Sequence, residues 1–271
     1  MADEFFERPE VRCVNFTGSS ATGRILAERA GRALKRCVLE LGGYNPLIVL
    51  ADADLDYAVE AAAFAAFFHS GQICMNARKV LVEHTVYDDF IGRLTARAQT
   101  LPVGDPAAPG TVIGPLITPA ALDRVTREVG EAVAAGARVL AGGQADGPCY
   151  RPTILADVPA GAAIHSEETF GPVLVAQPVK DADEAVAVAN ATRYGLSAGL
   201  ITSDNQRGFA LARRIDAGVV HVNDQTIADE PQLPLGGVKD SGWGRSGPHS
   251  MADFTELQWI TTRDGTGSYP I

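Results

Sequence analysis

Short β-branched and aliphatic runs alternate along this chain with longer stretches of helical character. The run Leu-Ile-Val-Leu at 47–50 reads as a buried strand, and an Ala-rich helix is expected over 54–69, with Asp54 at its start where an acid complements the helix dipole. The same reading gives a strand at 79–83, a helix at 86–99, a Pro/Gly-rich loop over 102–119 and a helix at 120–135. Strands follow at 138–140, 173–177, 198–202 and 218–222, with helices at 182–191 and 205–215. Upstream, a strand at 14–17 runs into a helix at 21–35. The stretch 255–262 has β character after a Gly-rich loop and is expected to form an edge strand. Apolar strands alternating with helices indicate an α/β fold around a mostly parallel sheet covered on both faces.

Composition narrows the picture. The 271 residues are 46% hydrophobic and 21% charged, which excludes a disordered chain. At about 150 residues per domain, the length accommodates one large domain or two modest ones. A net charge of -10, with no long basic run, argues against a nucleic-acid partner. Cys13, Cys37, Cys74 and Cys149 form no C-x-x-C pair, so neither a disulfide framework nor a structural zinc site is expected, and the thiols read as reduced and cytoplasmic. The longest apolar stretch, 61–68, is far below the ~20 residues of a membrane span, and the acidic N-terminus is no signal peptide.

Five segments carry candidate chemistry. In Phe16-Thr17-Gly18-Ser19-Ser20 a strand turns into a helix, whose first N–H groups suit an anion or polar ligand. Gly18 and Gly23 have the spacing of a phosphate-binding loop, but Arg24-Ile25 replaces the Lys-Ser/Thr that nucleotide hydrolysis requires. An ordinary capped turn is the alternative. Glu40, in Leu39-Glu40-Leu41-Gly42-Gly43, ends an apolar strand; desolvation would raise its pKa and suit it as a general base, whereas a strand-edge acid would simply face water. Cys74, in Ser70-Gly71-Gln72-Ile73-Cys74, sits beside a Gly that lets the backbone bend, and a thiolate is the strongest side-chain nucleophile near neutrality. A buried core thiol is the blander reading. In Glu167-Glu168-Thr169-Phe170-Gly171-Pro172, two acids precede a turn into a strand, and a carboxylate suits a ribose diol. The Gly-rich stretch from Leu233 to Arg245, which includes Leu235, implies tight backbone packing.

Taken together and in this order, these segments resemble the NAD(P)-dependent aldehyde dehydrogenase superfamily, over about residues 11–262. The resemblance implies an aldehyde dehydrogenase-like catalytic domain with a mostly parallel sheet, plus a remnant of the Rossmann-like cofactor domain. The expected division is cofactor-domain remnant 1–43, catalytic domain 44–248 and oligomerisation tail 249–271. By resemblance Cys74 is the nucleophile, forming a thiohemiacetal and, after hydride loss to the nicotinamide, a thioester; its backbone N–H forms part of the oxyanion hole. Glu40 is the base that activates the hydrolytic water. Gly18, Ser19, Leu41, Glu168 and Phe170 match cofactor-binding positions. Phe68, Ile73, Met75 and Leu235 match the substrate lining, which favours an aromatic or apolar aldehyde of the benzaldehyde, vanillin or salicylaldehyde kind.

The resemblance also implies NAD or NADP, with NAD favoured, a small-molecule aldehyde as partner, no metal, no membrane, and a homo-oligomer (dimer or tetramer) joined through the tail. Tyr44 and Leu235 depart from the frequent Lys and Phe. The family's upstream half, with the Asn that completes the oxyanion hole and the Lys that binds the adenosine ribose, has no counterpart in these 271 residues. An impaired enzyme is therefore expected, with a catalytically inactive remnant or binding module of the same fold as the alternative.

Overall fold

The computed structural model describes residues 2–270. After helix α1 (Ala2–Glu7), strand β1 (Cys13–Thr17) leads into helix α2 (Ser20–Arg32), whose N-cap Ser19 accepts a hydrogen bond from the Thr22 N–H. Strand β2 (Arg36–Glu40) returns parallel to β1, with Thr17 opposite Glu40. The expected 21–35 helix stops three residues early because Leu34 takes a left-handed φ of 53°.

Past Gly42 and Gly43 the chain builds a second, larger sheet. Its elements follow as strand β3 (Asn45–Val49), helix α3 (Leu55–Phe67), strand β4 (Ala77–Glu83), helix α4 (His84–Thr100) and helix α5 (Pro119–Ala134). Next come strand β5 (Arg138–Ala141), a separate two-stranded hairpin of β6 (Ala145–Asp146) and β7 (Cys149–Tyr150), and strands β8 (Thr153–Ala156) and β9 (Val173–Val179). Helix α6 (Ala182–Asn190), strand β10 (Ser197–Ile201), helix α7 (Asn205–Ala212) and strand β11 (Val219–Val222) complete it. The strand order is β11-β10-β3-β4-β9-β8-β5, parallel throughout except for β5 against β8.

The N-caps are written in the sequence. Asp54, Thr118, Asp181 and Asp204 each accept backbone N–H bonds from the first turns of α3, α5, α6 and α7. Both faces of the large sheet are covered. Leu47, Val49, Val80 and Val82 pack under α3 and α4, while Ile48 and Leu81 pack under α6 and α7. Leu155, Val173 and Val175 pack with α5 in a third cluster. Every residue of β3, β4 and β10 is buried, as strands covered on both sides require.

Three differences from the sequence reading have local causes. Strand β8 was not anticipated: it is four residues long and sits two positions after Pro148-Cys149-Tyr150-Arg151 with Pro152 at its edge, which reads as a turn. Strand β12 (Gly242–Trp243), also unanticipated, returns antiparallel to β2, with Gly242 opposite Glu40, and completes a three-stranded sheet β1-β2-β12. Helix α8 (Ser250–Phe254) follows. The edge strand expected at 255–262 does not form: these residues make no ladder, and Leu257 and Trp259 stand open to solvent at 103% and 91% exposure. β propensity needs a partner strand, and none of the described residues supplies one. Among the described residues no helix is long and apolar enough to cross a membrane.

Candidate active site

The cleft where the two sheets meet measures about 890 Å³. Cys74, Glu40 and Glu168 all line it, brought there by three separate pieces of chain.

Cys74 arrives on the turn that follows α3. His69, Ser70 and Gly71 take φ of 54°, 55° and 67°, reversing the chain so that Gln72, Ile73 and Cys74 face the cleft. A Cβ at Gly71 would collide with the Gly171 carbonyl, so only glycine fits there. Buried polar groups fix the turn from behind. The Asn45 amide donates to the Cys74 and Asn76 carbonyls at 2.8 and 2.9 Å. Asn76 Oδ1 accepts the Ile73 N–H, and its amide donates to Ala65 O at 2.7 Å. Thr226 Oγ1 donates to Met75 O. Gln72 Oε1 and Ser70 Oγ tie the turn to the 102–118 loop through Ile117 and Gly114. Burial, then the Glu168 and Glu40 charges, push the Cys74 thiol above its usual value, partly offset by the N–H groups of Cys74 and Met75.

Glu40 comes from the last position of β2. Its own carbonyl accepts the Gly18 N–H, and Ser246 Oγ donates to Oε1 at 3.3 Å. Burial raises its pKa, against the opposing pull of Ser246 and of the Arg245 charge. The desolvated carboxyl anticipated from the sequence is thus present, but only half-buried.

Glu168 enters from the loop before β9. Its carboxylate lies over Gly42, where a Cβ would collide with Oε2. Burial raises its pKa most, while Arg78, the Gly43 N–H, Arg124 and Arg193 act to lower it. Oε1 is buried and has no hydrogen-bond partner. A buried acceptor without a donor is costly, and a ligand hydroxyl reaching into the cleft would satisfy it. Gly18 and Ser19, at the start of α2, line the same cleft. An under-bonded carboxylate and a helix start lining one cleft fit a ligand that carries hydroxyls and an anionic group.

Phe68 and Ile73 line the cleft beside Cys74, and Phe170 lines it beside Glu168 with φ at 49°. The Phe68 ring is stacked on Phe64 at 4.6 Å. Three expected residues lie elsewhere. Met75 is 5% exposed and points into the core, because the alternation after Cys74 turns it away from the cleft. Leu41 is buried with its side chain against Gly23 of α2. Leu235 lines a separate groove of about 350 Å³ along β11, with Val220, His221 and Asp224.

Several residues here escaped the sequence reading. Arg124 of α5 lines the cleft and donates to the Thr169 carbonyl. Glu128 lies beside it with its pKa raised by burial. Arg78 is fully buried behind the turn. A charged residue in a helix or strand reads as surface, so the chain offered no signal for any of them.

Comparisons with known proteins give the family and the fold. The family model described as "Aldehyde dehydrogenase family" matches residues 1–260. A vanillin dehydrogenase of Pseudomonas fluorescens is 44% identical over 272 residues, covering 100% of this chain and 56% of that protein. The crystal structure of a salicylaldehyde dehydrogenase from Pseudomonas putida G7, complexed with salicylaldehyde, superposes with a TM-score of 0.96 at 41% identity. It covers 100% of this chain and 56% of that one. A NAD-dependent aldehyde dehydrogenase from Sinorhizobium meliloti gives 0.95 at 38% identity, over 99% and 54%. The chain spans about half the length of the curated relatives it matches.

Proposed function

The chain belongs to the aldehyde dehydrogenase family, and from that premise we propose that its cleft oxidises a small aromatic or apolar aldehyde to the carboxylate, with Cys74 as nucleophile and Glu40 as base. The observation that carries this reading is the convergence of Cys74, Glu40 and Glu168 on one cleft from three separate elements.

The Cys74 sulfur, as thiolate, bonds to the aldehyde carbon while the carbonyl electron pair moves onto oxygen, where the Cys74 N–H can meet the developing charge. When bound, a nicotinamide dinucleotide would supply the two-electron acceptor that oxidation of the adduct to the acyl level requires. Glu40 then takes a proton from the water that attacks the thioester, and the acid and the free thiol are released. Burial raises the Glu40 pKa, which makes its carboxylate a stronger base toward that proton. Glu168 would hold the hydroxyls of such a cofactor, and Gly18 and Ser19, on the same cleft, would bind it alongside. NAD is the favoured cofactor. Phe68, Ile73 and Phe170 give the substrate an apolar wall, and the vanillin and salicylaldehyde dehydrogenases among the relatives support an aromatic ring there.

Acyl transfer from 4-nitrophenyl acetate tests the two roles without any cofactor. The chain is expected to release a burst of nitrophenol as Cys74 is acylated. Cys74→Ala should abolish the burst, whereas Glu40→Gln should keep it and slow turnover by about 10²-fold. Iodoacetamide should also label Cys74 before Cys13, Cys37 and Cys149. Equal nitrophenol release by Cys74→Ala and the parent chain would overturn the assignment.

A further inference from the structure

One of the buried cations, Arg78, has no part in these roles. Arg78, the second residue of β4, is 2% exposed and has no carboxylate within ion-pairing distance among the described residues. Its guanidinium is instead spent on carbonyls. Nη1 donates to Gly171 O at 2.8 Å, and Nη2 donates to Gly71 O at 2.7 Å and to Ile73 O at 3.3 Å. Gly71 and Ile73 bracket the turn that delivers Cys74. Gly171 follows Phe170 in the loop that delivers Glu168. One side chain therefore fastens the two cleft-forming loops to each other.

The fastening is a fork. A guanidinium can donate in two directions in one plane, and a lysine cannot reproduce that geometry. Burying an unpaired charge is expensive, and a chain that needed only packing here would be served by leucine or methionine. The Arg78 charge also acts on the site from behind the turn. Glu168 and Cys74 both interact with it electrostatically, and with Tyr44 they offset the burial that lowers the arginine's own pKa to about 10.

We propose that Arg78 is a positioning residue that sets Cys74 and Glu168 in one register across the cleft and supplies the buried positive charge that counters the carboxylates around the nucleophile. The proposal rests on Cys74 being the reactive thiol. The charges that act on Cys74 are those of Glu168 from the loop before β9 and Glu40 from the end of β2, with Arg78 of β4 coupled to it from behind the turn. His69 from the turn, Arg124 and Glu128 from α5 and Glu167 from the loop line the same cleft farther out. Fork and charge make separable contributions. The fork fixes where the sulfur sits, and the charge fixes how readily it ionises.

The test is the rate of iodoacetamide alkylation at Cys74, followed by peptide mapping as pH is raised, in the parent chain, Arg78→Lys and Arg78→Met. The same variants are made with Glu168→Gln, so that reprotonation of this carboxylate cannot mask the loss of the cation. In that background Arg78→Met is expected to move the alkylation midpoint up by about one pH unit. Arg78→Lys should hold the midpoint, because the charge remains, but lower the high-pH plateau severalfold, because the fork is lost. A purely structural arginine would leave both midpoint and plateau unmoved in every variant that keeps a cooperative thermal transition, and that result overturns the proposal. If Arg78→Met does not fold, Arg78→Lys decides alone: a lowered plateau at constant midpoint supports the proposal, and an unchanged plateau overturns it. If Cys74 in the parent chain labels no faster than Cys13, Cys37 and Cys149, the nucleophile assignment itself has failed, an outcome distinct from the failure of Arg78.

Discussion

Cys74 and Glu40 face one cleft but are held there by opposite means. The cysteine turn rests on the seven-stranded sheet, where every residue of β3 and β4 is buried and Asn45, Asn76, Arg78 and Thr226 all bond the turn's backbone. Glu40 rests on a three-stranded sheet in which β1 has no buried residue and β12 contributes two positions. One hydrogen bond to its side chain, from Ser246, holds the carboxyl. A nucleophile must meet its target within a narrow distance and angle, which rewards a rigid mount. A base that works through a mobile water can sit on a looser one. On the roles proposed above, the contrast between the mounts is a contrast between those two tasks.

The largest effect should come from breaking the rigid mount at its tightest point. Gly71→Ala forces a Cβ onto the Gly171 carbonyl at a positive φ, and the strain and overpacking together should cost about 3 kcal/mol in denaturant unfolding. Survival of the parent's unfolding midpoint in this variant would mean the turn is softer than described. Next, Asn76→Ala leaves the Ile73 N–H and the Ala65 and Phe68 carbonyls without their partner, a loss of about 2 kcal/mol accompanied by slower Cys74 alkylation.

Acid titration sharpens the comparison further. Asp52, at the end of the large sheet, accepts bonds from Thr202 Oγ1 and from Ser203 Oγ and N–H, and these outweigh its burial and lower its pKa. A depressed folded pKa stabilises above the unfolded value of about 3.9 and loses that contribution as pH falls through the folded one. Asp52→Asn should therefore lower stability at pH 7 and converge with the parent below that range. Glu40 has the opposite sign. Its folded pKa is raised, so the ionised form costs stability once pH rises from the unfolded value of about 4.3 through the folded one. Glu40→Gln should raise Tm at pH 7 and match the parent at pH 4. A lower Tm at pH 7 would place Glu40 among the stabilising groups and erase the contrast. Smallest of all, Ser246→Ala removes a long hydrogen bond, costs about 0.5 kcal/mol and raises the Glu40 pKa further, visible as an alkaline shift of the deacylation profile.

The two regions were also unequally legible. Runs such as 47–50 and 79–83 carry their own strand signal because burial on both faces demands unbroken apolar residues. Strands β3, β4, β9 and β10 therefore fall where the pattern put them, to within two residues at either end. The small sheet is harder to read, since Gly242 and Trp243 become a strand only by lying against Leu39 and Glu40, two hundred positions upstream. At 255–262 the same logic runs the other way, with β character but no neighbour to realise it. In the cleft, Cys74, Glu40 and Glu168 could be found because glycines flank them at 71, 42 and 171, where the backbone must bend or approach closely. Arg78 and Asn45 could not, because their importance lies in carbonyls contributed by distant segments.

The turn before Cys74 has one more consequence, and it concerns chirality. His69, Ser70 and Gly71 are three consecutive residues on the left-handed side of backbone space, and two of them carry side chains. L-residues pay about 1–2 kcal/mol each for that hand, which a D-residue would not. For this one turn the protein is locally written in mirror image. A semisynthetic chain with D-serine at position 70 would relax there, at the expense of re-aiming the hydroxyl that now meets Gly114.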